Sequence, residues 1–104
     1  MIFVALQEAA DHGELILVDG GICRFHRRRD GIVTVREILV LPQQRRRGIA
    51  RAMMVEVFRA AGGSAVQAKC PVAYESGQAF WRAMGFTLMA EKDGISLFQR
   101  PANP

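Results

Sequence analysis

Ile38-Leu39-Val40-Leu41-Pro42-Gln43-Gln44-Arg45-Arg46-Arg47-Gly48-Ile49-Ala50-Arg51-Ala52-Met53-Met54 joins a strand-like apolar run to a helix-like amphipathic one through a basic loop. A strand stopped by Pro42, then a loop with Gly48, then a helix start is a device for holding phosphates. The first N–H groups of a helix have no intrahelical acceptor, and the helix dipole favours negative charge beside them. Gly48 lets backbone approach a ligand where a side chain would block it. Arg45, Arg46 and Arg47 add charge-assisted hydrogen bonds. The stretch therefore predicts a phosphorylated ligand.

Outward from this stretch, the chain is short enough to be a single domain: 104 residues. Half its residues are hydrophobic and 23% are charged, a globular and not a disordered composition. The net charge of +4 comes almost wholly from arginine, twelve against Lys69 and Lys92. The excess is either a solvated surface or an attraction to phosphates on a cofactor or a nucleic acid. Cys23 and Cys70 lack a Cys-x-x-Cys spacing, and His12 and His26 lack metal-ligand companions, so no metal site is expected. One disulfide is open to two cysteines, but reduced thiols are the ordinary state in a cytosolic protein. Met1 to Leu6 has neither the positive start nor the long apolar stretch of a signal peptide, and no run is long enough to span a membrane. A cytoplasmic location is expected.

The pattern along the chain predicts a mixed α/β (α+β) domain over 1–100 with a tail at 101–104. A short helix over 3–12 closes at Gly13. Strands over 14–18, 22–27 and 32–41 follow, joined by Asp19-Gly20-Gly21 and by Arg29-Asp30-Gly31, and read as an antiparallel meander. Ile49, Met53, Val57 and Ala60 recur at helical spacing up to Gly62-Gly63. A strand over 65–69 ends at Cys70-Pro71. A helix over 75–84 presents Ala79, Phe80, Ala83 and Met84 and is capped by Gly85. Strands over 86–90 and 95–99 form a hairpin at Lys92-Asp93-Gly94. The order is meander, then helix-strand-helix-hairpin.

No Gly-x-Gly-x-x-Gly and no Gly-x-x-x-x-Gly-Lys-Ser/Thr is present, which removes Rossmann and P-loop sites. Arg45-x-x-Gly48-x-Ala50 matches Gln/Arg-x-x-Gly-x-Gly/Ala after a strand, preceded by Val40-x-Pro42. Further on, Phe80-Trp81-Arg82-Ala83-Met84-Gly85-Phe86 is similar to a Phe-Tyr-x-x-x-Gly-Phe element. On these motifs the chain resembles the GNAT superfamily of N-acetyltransferases, as a compact single-domain member with a GNAT-like mixed sheet. The alternative at these positions is a basic helix start that binds nothing and an aromatic pair that only fills the core.

The resemblance implies acetyl-CoA as cosubstrate and a direct attack of an amine on its thioester. It implies that Ile38, Leu39 and Val40 hold the pantetheine arm and acetyl carbonyl, and that Arg46, Arg47, Gly48, Ile49, Ala50 and Arg51 cradle the pyrophosphate. A backbone N–H near Val40 is the natural oxyanion donor. Glu37 is the acidic residue on the strand before the loop, against the alternative of a solvent-facing partner for an arginine. By strand alternation it faces the same way as Val35 and Leu39. Trp81 stands where the family has a tyrosine credited with protonating the thiolate, and an indole N–H cannot act as that acid. Tyr74 is the one tyrosine available for the role, and the asparagine common before this helix is absent. Cys70 is weighed as an acetyl-carrying nucleophile against a buried free thiol.

Only about a dozen residues precede the first strand, so the acceptor site is expected to be open, which favours a protein or other macromolecular acceptor. A homodimer is compatible with this reading, and a membrane partner is not expected. The two alternatives are a catalytically degenerate acyl-coenzyme A-binding module and a basic nucleic-acid-binding module built on Arg24, Arg27, Arg28 and Arg29. Nucleic acid is the less favoured partner, because charges on an exposed edge are ordinary protection against aggregation.

Overall fold

The computed structural model describes residues 2–102, so Met1 and the last two positions of the tail lie outside the described residues. The order is α1 (Ile2–Asp11), β1 (Leu15–Val18), β2 (Gly21–Arg27), β3 (Val33–Val40), a single 3-10 turn (Pro42–Gln44), α2 (Ile49–Ala61), β4 (Val66–Pro71), α3 (Glu75–Ala83), β5 (Thr87–Lys92) and β6 (Ile95–Arg100). The strands form one sheet in the order β1-β2-β3-β4-β6-β5. Only β3 and β4 run parallel, as a crossover through α2 requires; every other pair is antiparallel. At the β5–β6 turn Asp93 and Gly94 both have positive φ, 53° and 75°, the condition for the tight hairpin that Asp-Gly predicts.

Periodicity explains the core. α2 turns Met53, Met54, Val57 and Ala61 onto the sheet and stops at left-handed Gly62, whose N–H reaches the Phe58 and Arg59 carbonyls. The sheet answers with Cys23, Phe25, Val33, Val66, Ala68, Cys70 and Phe98, all buried. Each fully buried large side chain here is worth roughly 1.5–3 kcal/mol. In α3 the buried residues are Gly77 and Trp81, with Met84 just beyond the helix, while Ala79 and Ala83 are exposed. Of the expected stripe Ala79-Phe80-Ala83-Met84, Phe80 and Met84 do pack on the core, while Gly77 and Trp81 take the place of the two alanines, the indole lying against Phe80 and Phe86. α1 lies on the other face of β1 and β2, where Ala5, Glu8 and His12 line a cavity with Glu14, Arg24 and His26.

Two irregularities in β3 shape the sheet around its middle. Arg24 pairs with Glu37 but Phe25 pairs with Val35, so Arg36 is an extra residue, a bulge. Residues directly opposite in an antiparallel pair share a face. Val35 and Ile38 therefore lie on the core face with Phe25 and Cys23, and Glu37 lies on the outer face with Arg24. Glu37 shares its face with Leu39 but not with Val35, a correction that the bulge forces on simple alternation. The second irregularity is that β3 and β4 pair over three rungs only, Val33 with Val66, Thr34 with Gln67 and Val35 with Ala68. Beyond these rungs the strands part. β2 still holds β3 as far as Val40, and β6 still holds β4 as far as Pro71. The result is a V whose arms are fixed from outside and whose inner edges carry backbone groups without a strand partner.

Candidate functional site

The V opens into a cleft of about 520 Å³. Ile38, Leu39 and Val40 line one arm; Gln44, Arg45, Arg46 and Gly48 form its rim; Ile49, Ala50 and Arg51 bring the first turn of α2. Tyr74, Ser76, Gly77, Phe80 and Trp81 close the side of α3. Of the residues singled out in the sequence, the fold thus brings together Ile38, Leu39, Val40, Arg46, Gly48, Ile49, Ala50, Arg51 and Tyr74. Arg47 is exposed on the loop but does not line the cleft, and neither does Glu37.

Backbone direction at the cleft follows from one hydrogen bond. The Leu41 N–H donates to the Gly20 carbonyl at 2.9 Å, towards β2. Alternation then turns the N–H groups of Val40 and Ile38 the other way, into the V. At the rim, Arg46 and Gly48 both adopt left-handed φ, 65° and 76°. For Arg46 that conformation costs about 1–3 kcal/mol. α2 then begins without a side-chain cap and without an acidic residue in its first turn. The N–H groups of Ile49, Ala50 and Arg51 have no acceptor within the helix. A Cβ added at Gly48 would meet nothing within 4 Å, so the space above the loop is open. Beneath the loop, a Cβ on Gly20 would stand 2.8 Å from Gln44 Cγ, and one on Gly21 would stand 2.8 Å from Ile49 Cγ2. These glycines let the β1–β2 turn support the loop closely.

Across the cleft, Tyr74 precedes α3 and is half exposed. Gly77 makes its position tenable: a Cβ there would lie 2.6 Å from Tyr74 Cδ2 and 2.8 Å from Cys70 Sγ. Gln78 ties α3 to the end of β4, its Nε2 donating to the Pro71 carbonyl at 3.0 Å and meeting buried Ser96 Oγ at 3.0 Å. Gly77 and Gln78 escaped the sequence reading, although a glycine in the first turn of a helix is a signal of close approach. Trp81 is buried, edge-on to Phe80 and Phe86 at 5.1 and 4.9 Å.

The ionisable groups divide sharply. Arg24 grips both oxygens of Glu37, Nε to Oε2 at 2.7 Å and Nη2 to Oε1 at 2.9 Å. This fork holds the Glu37 carboxyl below its ordinary value of 4.5, against a smaller opposing effect of burial. Burial pushes the Cys70 thiol up and pushes Cys23 up to about 12, with Glu37 adding to the effect. Both cysteines are free and buried. Among the described residues no cluster suits a metal ion, and no helix is long and apolar enough to cross a membrane.

A mixed sheet split into a V beside an uncapped helix start defines a class, and comparison names it. A sequence model described as acetyltransferase (GNAT) domain matches residues 1–88, and the chain belongs to the GNAT acetyltransferase family. No curated protein sequence matches it. Among solved structures it is similar to the ribosomal-protein-S18-alanine N-acetyltransferase from Escherichia coli, with a TM-score of 0.72 and 14% identity, covering 88% of this chain and 71% of that one. It is similar to the PaiA N-acetyltransferase from Thermoplasma acidophilum in complex with coenzyme A, at 0.80 and 10%, covering 91% and 65%. It is also similar to a putative streptothricin acetyltransferase from Bacillus anthracis in complex with acetyl coenzyme A, at 0.80 and 11%, covering 95% and 69%. The chain thus spans about two thirds of each relative's length, and at these identities the likeness is one of fold.

Proposed function

We propose that this chain is an acetyl-coenzyme A-dependent N-acetyltransferase that moves an acetyl group to an amine by direct attack, with a protein or other macromolecule as acceptor. One observation carries the reading: the unpaired inner edge of β3 leads through the basic loop to an uncapped, acid-free helix start with open space above Gly48. The residues present suit such a ligand. N–H groups and arginines match a pyrophosphate, and an apolar arm matches pantetheine. When bound, acetyl-coenzyme A supplies an activated acetyl thioester.

In this reading Ile49, Ala50 and Arg51 hold the pyrophosphate through their N–H groups, with Arg46, Arg47 and Arg51 adding charge and Gly48 giving access. Ile38, Leu39 and Val40 align the pantetheine arm. The N–H of Val40, with that of Ile38 deeper in the V, donates to the acetyl carbonyl oxygen as negative charge grows there. Glu37 receives the proton of the attacking amine from the outer face, Arg24 fixing its orientation at the expense of basicity. Tyr74 gives a proton to the departing thiolate. The direct test is acetyl-coenzyme A-dependent thiol release with an amine and peptide panel. Turnover that Tyr74→Phe lowers supports the assignment; thiol release unaffected by that change overturns the role of Tyr74.

The burial of Trp81 at the position where the family has tyrosine favours a second reading, a member that binds acyl-coenzyme A without turnover. A ligand-induced rise in melting temperature without any thiol release would select it.

A further inference from the structure

The V has two mouths. One meets α2 and α3; the other opens on the outer face, where α1 packs on β1 and β2. There the residues that alternate with the core, Thr34 and Gln67, with Leu97, floor a groove of about 520 Å³. Arg28, Arg36 and Lys69 stand around it. Arg36 and Lys69 are the first residues beyond the last rung of the parallel ladder, Val35 with Ala68, so they flank the point where the strands part. Arg36 follows core-facing Val35 and is exposed. Arg28 is paired with Asp30 at 2.6 Å, whereas among the described residues Arg36 and Lys69 make no close ion pair, Arg36 acting on Glu37 only at longer range and bordering the α1 cavity that Glu8 and Glu14 also line.

We infer that this groove, between Arg36 and Lys69, receives an acceptor peptide carrying acidic side chains next to its amine. The inference rests on the acetyltransferase reading and gives it a substrate class. Two cations outside any close ion pair at the narrow end of the V match carboxylates one or two residues from the reacting amine. Beyond the last rung the inner edge of β4 offers N–H and C=O groups to an extended peptide backbone, while the β3 edge from Ile38 to Val40 is left to the pantetheine arm. A nucleic acid fits less well: the groove is one pocket of about 520 Å³ bordered by Arg28, Arg36 and Lys69, with Arg28 already paired to Asp30, and not a long basic track for a continuous phosphate chain.

The test uses the full chain saturated with coenzyme A and two short fluorescent peptides with free amino termini. One carries alternating Asp and Glu after its first residue; the other carries Asn and Gln. Anisotropy at low salt is expected to show the acidic peptide binding about tenfold more tightly. Arg36→Gln with Lys69→Gln should erase that preference while the thermal shift given by acetyl-coenzyme A stays as in the parent chain. Equal binding of the two peptides, binding of neither, or a preference that survives the double substitution overturns the inference. So does a DNA duplex that displaces the acidic peptide with higher affinity. If the acetyl-coenzyme A thermal shift is intact in those cases, only the acceptor class falls; its absence removes the enzyme reading beneath it.

Discussion

Two helices begin at the rim of the same cleft, and they treat their free N–H groups differently. α2 starts at Gly48 with no side-chain cap and no acidic residue in its first turn. α3 starts at Tyr74, also without a side-chain cap, but brings Glu75 into its first turn and anchors itself to β4 through Gln78. The start of α3 thus supplies its own negative charge, and the start of α2 leaves that place to a ligand. The contrast separates an anchor from a binding element, and the backbone differs with it: left-handed at Gly48, φ −89° at Tyr74.

The largest way to break the contrast is to give α2 what α3 already has. Gly48→Glu forces a side chain into a left-handed position and puts a carboxylate over the open loop. Acetyl-coenzyme A affinity by calorimetry is expected to fall about 100-fold or more, roughly 2.7 kcal/mol; affinity within threefold of the parent would refute the cradle. On the α3 side, Tyr74→Phe is expected to lower kcat by about 10- to 100-fold and leave KM for acetyl-coenzyme A within about twofold, as steady-state kinetics would show. Gly77→Ala pushes on Tyr74 and Cys70, and overpacking of this kind costs about 1–3 kcal/mol, offset by about 1 kcal/mol of helix propensity. Urea unfolding should therefore show a net change between about zero and a loss of about 2 kcal/mol, accompanied by a drop in kcat larger than any change in coenzyme binding.

Glu37 sharpens the comparison from outside both helices. Its folded pKa is lowered, so its contribution to stability is present above the ordinary value of 4.5 and is lost as pH falls through the lower folded value. Glu37→Gln should flatten the fall in melting temperature below pH 4.5 and leave coenzyme A binding unchanged. The smallest effect belongs to Glu75→Gln, which should cost a few tenths of a kcal/mol in urea unfolding and nothing in coenzyme affinity. A loss of coenzyme affinity there would mean that the two helix starts are not independent.

Local chemistry made much of this fold legible. The bounds of α2 follow from its apolar spacing and from Gly62, and the β5–β6 hairpin follows from Asp93-Gly94, because both depend on residues close in the chain. The rim of the cleft was legible for the same reason, as a strand, a loop and a helix start in succession. What alternation misread was decided by distant partners. The face of Glu37 depends on a bulge at Arg36, which carries no glycine to announce it and exists only in register with Arg24 and Phe25. The inner face of α3 was half legible, in Phe80 and Met84; that Gly77 and Trp81 are buried in place of Ala79 and Ala83 depends on Cys70 and Phe86, which are distant in the chain or on another element. The Gln78–Ser96 contact joins two elements whose nearness no local pattern encodes.

Trp81 is the only tryptophan of the chain, and it sits nearly dry with one edge on the cleft. Its emission therefore comes from a single, defined place. Whatever enters between β3 and α3 alters the field around that indole, and nothing elsewhere in the chain contributes indole fluorescence to mask the change. The cleft carries its own optical reporter, so the arrival and departure of a ligand can be timed in rapid mixing on the unlabelled protein.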